Sequence, residues 1–162
     1  MTKTFYIFLD VDGVLNNETY TVSCYERHHK SMHMNHVPFD PKCLNNLMIL
    51  VQSLEKLGFE VKIILSSTWR LSNIDYEIVN ARIAEYGLKL DGKTPHFGDR
   101  GAEIKEYLKD KEYVDLLILD DDSFDIIDYF YFNLINTNFK VGFNSEALER
   151  ALRYVKERYV NE

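Results

Sequence analysis

Two carboxylates one residue apart, Asp10 and Asp12, follow the apolar run Phe5-Tyr6-Ile7-Phe8-Leu9 and precede Gly13. Side chains alternate along an extended segment, which predicts that Asp10 and Asp12 start on one face, with glycine letting the backbone turn sharply beside them. Carboxylates so close repel until a cation or a shared proton intervenes. Mg²⁺ is the simplest partner, because hard oxygen donors suit it. The layout recurs twice: residues 61–65 form a β-branched apolar run ending in Ser66-Ser67-Thr68-Trp69-Arg70, and residues 114–119 end in Asp120-Asp121-Asp122. Carboxylates at two strand ends would hold a divalent cation and hydroxyls at a third would donate to phosphate oxygens. A nearby Arg or Lys would balance the charge of the transferring group.

Groups this far apart in sequence meet only if their strands lie side by side. Between the apolar runs the pattern turns helical. Asp40 and Pro41 read as an N-cap and a first helical residue, and Leu44, Leu47, Met48, Val51 and Leu54 follow at helical spacing up to Gly58. Further helices are predicted over 75–86, with Gly87 as the stop, over 101–109, over 124–132, and from Ser145 to the end, with a short strand at 134–136. Strands alternating with helices imply a three-layer α/β/α sandwich around a mainly parallel, Rossmann-like sheet, whose ligands gather at the carboxyl ends of the strands. The 162 residues, 46% of them hydrophobic, suit one domain over 1–162. Residues 15–39, rich in Asn, Tyr, His and Met, lack periodicity and are expected to form a short flap or small cap insertion after the first strand. A short insertion implies an open site that admits a polymer end or a protein side chain.

The formal charge of −7 argues against broad, sequence-independent attraction to nucleic acid, while leaving room for a local basic pocket. Cys24 and Cys43 form no C-x-x-C pair, so a reduced, cytoplasmic protein is expected, with no signal peptide and no membrane span. Two motifs read as decoys. Gly87 to Thr94 satisfies the P-loop pattern, but a helix precedes it and Pro95 turns Thr94 away from helical angles. His28, His29, His33 and His36 crowd one segment, yet no Cys pair completes a zinc site, and solvated or substrate-facing histidines are the preferred reading.

On these residues the chain resembles the haloacid dehalogenase (HAD) superfamily of phosphohydrolases. Asp10-Val11-Asp12-Gly13-Val14-Leu15 is similar to its first motif, Ser66 stands where the family places a hydroxyl, and Asp120-Asp121 where its last acidic motif belongs. More narrowly, Leu65 to Arg70, Arg100 to Ile104 and Ile118 to Asp122 are similar to the HAD domains of Swiss-Army-knife RNA repair proteins. The resemblance implies Asp10 as the nucleophile that becomes an aspartyl phosphate and Asp12 as the acid that protonates the leaving oxygen and then activates water. It implies a Mg²⁺ held among Asp10, Asp12, Asp120 and Asp121, with Ser66 and Ser67 on the phosphate. The basic residue of its third motif is Arg100 or Lys105; Arg100 is favoured because it opens its helix and so points toward the site. Arg70 is either a clamp on a second phosphate oxygen or one half of a surface ion pair. Trp69 is either core or a stacking surface for a base. The implied substrate is phosphorylated, with nucleic-acid ends and nucleotides among the candidates, and neither a membrane nor a partner protein is indicated. Two other classes remain open: a receiver-like phosphoacceptor or binding module, and a catalytically inactive HAD scaffold.

Overall fold

In the computed structural model, which describes residues 3–28 and 38–161, the strands form one parallel sheet. These are β1 (Lys3–Leu9), β2 (Phe59–Leu65), β3 (Gly92–Lys93), β4 (Asp115–Asp120) and β5 (Leu134–Asn136), in the order β3-β2-β1-β4-β5. Around them lie α1 (Glu18–His28), α2 (Pro41–Lys56), α3 (Asn73–Ala84), α4 (Arg100–Leu108), the short α5 (Ile127–Phe130) and α6 (Ser145–Tyr159). β1 is central, and its alternate residues enter two cores. Phe5, Ile7 and Leu9 join Leu47, Leu50 and Leu54 of α2, Val79 and Ile83 of α3, and Ala151 and Val155 of α6. Tyr6 and Phe8 pack on the opposite face with Ile104 and Leu108 of α4. A strand apolar on both faces is what a covered parallel sheet requires, and the three-layer α/β/α expectation is met.

Register carries this order to the site. Leu9 lies opposite Leu65 on one side and Leu119 on the other. The ladder continues one step further: the Asp10 N–H donates to Leu119 O at 3.0 Å and the Ser66 N–H to Leu9 O at 2.9 Å. Asp10, Ser66 and Asp120 are therefore neighbours at one sheet edge, placed there by three buried hydrophobic strands.

The predicted helix starts are supported by real caps. Asp40 Oδ1 accepts from the Lys42 N–H at 2.9 Å, Ser72 Oγ from the Asp75 N–H at 3.3 Å, and Asn144 Oδ1 from the Ala147 N–H at 3.0 Å. The expected insertion over 15–39 needs correction, because its beginning is core and helix. Val14 and Leu15 are fully buried, and α1 follows at once. Asn17 caps α1 by accepting from the Tyr20 N–H at 2.8 Å, and the helix hangs from Phe139 O and Lys140 O through Glu18 and Thr19. Its apolar pattern was invisible because α1 buries chiefly Cys24. Residues 29–37 of the expected flap, with His29, His33 and His36, lie outside the described residues, and His28 closes α1. The predicted helix over 124–132 shrinks to α5. The P-loop look-alike is indeed a decoy: its Gly92 and Lys93 form the edge strand β3.

Candidate active site

Asp10, Asp120 and Asp121 each bring a carboxylate oxygen to within 4.8 Å of the others. Asp120 is fully buried and Asp10 nearly so. Burial, reinforced by Asp120, holds the Asp10 carboxyl well above the usual carboxylate range, while Arg100 and the Val11 amide pull it down. Asp120 and Asp121 are also raised, in each case first by burial. Hard oxygen donors crowded at this distance without enough positive charge are a donor set that fits Mg²⁺.

Gly13 makes the crowding possible. Its φ of +77° suits glycine, and a Cβ there would stand 2.2 Å from Asp121 Oδ2. The first acidic motif and the last thus interlock through the absence of one side chain.

Arg100 supplies the positive charge. Its Nη1 donates to Asp120 Oδ2 at 2.6 Å and lies 3.6 Å from Asp10 Oδ2. As the first residue of α4, set by the Asp99 cap, it projects over the carboxylates. Lys105 does not reach them. It is exposed one turn on, with Nζ 5.7 Å from the Tyr129 ring centre.

The two serines separate. Among the described residues, Ser66 Oγ and Thr94 Oγ1 are the buried side-chain atoms that lack a hydrogen-bond partner. An unpartnered buried hydroxyl is costly, and at the sheet edge it is poised for an added acceptor. Ser67 Oγ instead accepts from the Trp69 N–H at 3.2 Å, opening a 3₁₀ turn over Thr68–Leu71.

Arg70 fits neither of its readings. It is buried, and its guanidinium donates to Ser66 O, Ser67 O, Thr94 O, Pro95 O and, at 2.8 Å, Glu103 Oε2. Its donors face backbone carbonyls, so no fork is left for phosphate. Glu103 completes the arrangement: its Oε1 accepts from the N–H groups of Phe97 and Gly98 at 2.8 and 2.9 Å. The pair ties the loop after β3 to α4 beside Arg100. In the sequence Glu103 lies inside the Arg100–Ile104 stretch of the resemblance with no role of its own, and its local signal is an acid in the first turn of a helix.

Asp12 also departs from expectation. β1 ends at Leu9, and Val11 O accepts from the N–H groups of Val14, Leu15 and Asn16, so the chain is already turning and strand alternation no longer applies. The Asp12 carboxylate consequently stands apart from the three-carboxylate group. It is exposed and accepts from Asn16 Nδ2 at 2.8 Å and from Trp69 Nε1 at 3.2 and 3.3 Å. Trp69 is thus half-buried against the core, and its indole N–H also reaches the Asp12 carboxylate.

A carboxylate cluster, an arginine and a buried unpartnered hydroxyl thus gather at the carboxyl edge of a parallel sheet, where α/β proteins bind their ligands. The family model described as "HAD domain in Swiss Army Knife RNA repair proteins" matches residues 6–148, and the chain belongs to that family. No curated protein and no solved structure matches it. Among the described residues no helix is long and apolar enough to cross a membrane.

Proposed function

We propose that residues 1–162 act as one Mg²⁺-dependent phosphohydrolase domain that works through an aspartyl phosphate, on a nucleic-acid end or nucleotide. The observation that carries this reading is Asp10, buried between two further carboxylates and Arg100, one strand away from an unpartnered Ser66 hydroxyl. Asp10 attacks phosphorus, and the bond from phosphorus to the leaving oxygen breaks as that oxygen takes a proton from Asp12. Asp12 then removes a proton from water, which attacks phosphorus, releases inorganic phosphate and regenerates Asp10. Ser66 and Arg100 hold the phosphoryl oxygens throughout, with Ser67 shaping the turn beside them. A Mg²⁺ held by Asp10, Asp120 and Asp121 would neutralise charge on the transferring group. Asp12, whose carboxylate lies outside that group, is kept for proton transfer. The RNA-repair description of the family supports a nucleic-acid end as substrate. The cytoplasm is the proposed setting, since Cys24 and Cys43 are both buried and free.

The test is phosphate release from an aryl phosphate with and without Mg²⁺, beside Asp10→Asn. Release that needs Mg²⁺ and disappears in the variant is the expected result, and turnover indifferent to the substitution would sink the mechanism.

A further inference from the structure

We propose that Trp69 is a positioning residue whose indole N–H holds the Asp12 carboxylate in place for proton transfer. This rests on the acid–base reading of Asp12. Asp12 is exposed and lies in a turn, where an unrestrained aspartate would sample several rotamers. Two side-chain donors hold it. Asn16, which is buried, donates from Nδ2 to Oδ1 at 2.8 Å while its own Oδ1 accepts from the Gly13 N–H at 3.0 Å, so it reads the turn and the carboxylate together. Trp69 spans both carboxylate oxygens from the neighbouring strand's loop, at 3.2 and 3.3 Å.

The indole is itself held. Ser67 Oγ accepts from the Trp69 backbone N–H, the bonds from Arg70 to Ser66 O and Ser67 O fix the 3₁₀ turn, and the Phe39 ring lies 5.4 Å from the indole at a tilt of 58°. Buried Arg70 and Ser67 therefore act on Asp12 through Trp69. This gives both residues a task at the site that requires no contact with phosphate. A group placed to deliver a proton within hydrogen-bond reach gains from such restraint, because misplacement lowers the fraction of productive encounters without altering substrate binding.

The chain contains a single tryptophan, so one indole can be changed without touching another. Replacing it biosynthetically with β-(3-benzothienyl)alanine substitutes sulfur for the N–H and keeps the bicyclic shape against Phe39. With an aryl phosphate and Mg²⁺, kcat is expected to fall about tenfold, the size of one lost hydrogen bond to a charged group. KM should stay within about twofold, since ground-state binding is untouched. The melting temperature should be unchanged. In ¹⁵N-labelled protein the lone indole resonance is expected to move in Asp12→Ala and to stay in place in Lys105→Ala. An unchanged kcat in the sulfur isostere, or an indole resonance indifferent to Asp12→Ala, overturns the proposal. Wild-type protein without hydrolysis would instead overturn the functional reading, and the resonance would still report whether the clamp exists.

Discussion

β4 begins and ends in a carboxylate, and its two ends are built in opposite ways. At the start, Asp115 is surrounded by neutral donors: Tyr159 Oη at 2.6 Å, Tyr154 Oη at 2.9 and 3.0 Å, and Asn133 Nδ2 at 3.4 Å. At the far end, Asp120 is buried with Asp10 and Asp121, and Arg100 is the cation against it. The first carboxylate needs nothing more. The second group holds three carboxylates around one arginine among the described residues, a charge imbalance that a retained proton or a bound cation would relieve. On the proposed function, one edge of the sheet serves stability and the other chemistry.

The sharpest way to break the contrast is Asp10→Asn. We expect turnover to fall by about 10⁴-fold or more, as when a nucleophile is removed from a concerted group. The same change should raise the melting temperature of the metal-free protein by a few degrees, roughly 1 kcal/mol, because a buried like-charge contact disappears. Asp115→Ala should do the reverse, costing about 1–3 kcal/mol of stability in a denaturant titration while leaving kcat unchanged. An Asp115 variant that lost activity at full stability would erase the distinction between the ends.

Gly13→Ala tests the interlock at the chemical end. The strained φ and the overlap with Asp121 should together cost about 2 kcal/mol and weaken Mg²⁺ binding, measured by unfolding and by calorimetry.

The two ends should also respond to pH differently. Burial and Asp115 raise the Tyr154 hydroxyl to about 12 and raise Tyr159 as well. A raised folded-state pKa gives stability that is complete below the unfolded value near 10 and lost as pH climbs through about 12. Alkaline denaturation should set in over that window and be blunted in Tyr154→Phe. At the other end Asp10 is also raised, so the metal-free fold gains from its proton at low pH and loses that gain as the proton leaves. Mg²⁺ competes for the same oxygens and should bind more tightly as pH rises. The smallest expected effect belongs to Lys105→Ala, with kcat within about twofold of wild type, because Lys105 faces Tyr129 and not the carboxylates.

What could be read in advance followed hydrophobic pattern. β1, β2 and β4 are unbroken apolar runs, and α2 and α6 carry strong stripes with caps, so the sheet, its covered faces and the meeting of Asp10, Ser66 and Asp120 were legible. α1 and β3 escaped because one buries little and the other is two residues long, held by pairing with Ile64 and Leu65. Within the site, residue types were readable but side-chain directions were not. Alternation assigns Asp12 to the Asp10 face but stops at Leu9, and charge assigns Arg70 to phosphate but is met by Glu103, with backbone carbonyls taking the remaining donors. The pairing of Glu103 with Arg70 and the bond from Trp69 to Asp12 join distant segments, which no local pattern encodes.

On the proposed mechanism Asp10 becomes phosphorylated. Borohydride added during aryl-phosphate turnover reduces an acyl phosphate to an alcohol, and peptide mass spectrometry locates the change. Reduction is expected at Asp10 alone, dependent on Mg²⁺ and absent in Asp10→Asn. Steady turnover with no reduction at Asp10, or with reduction at Asp120 or Asp121 instead, would contradict it.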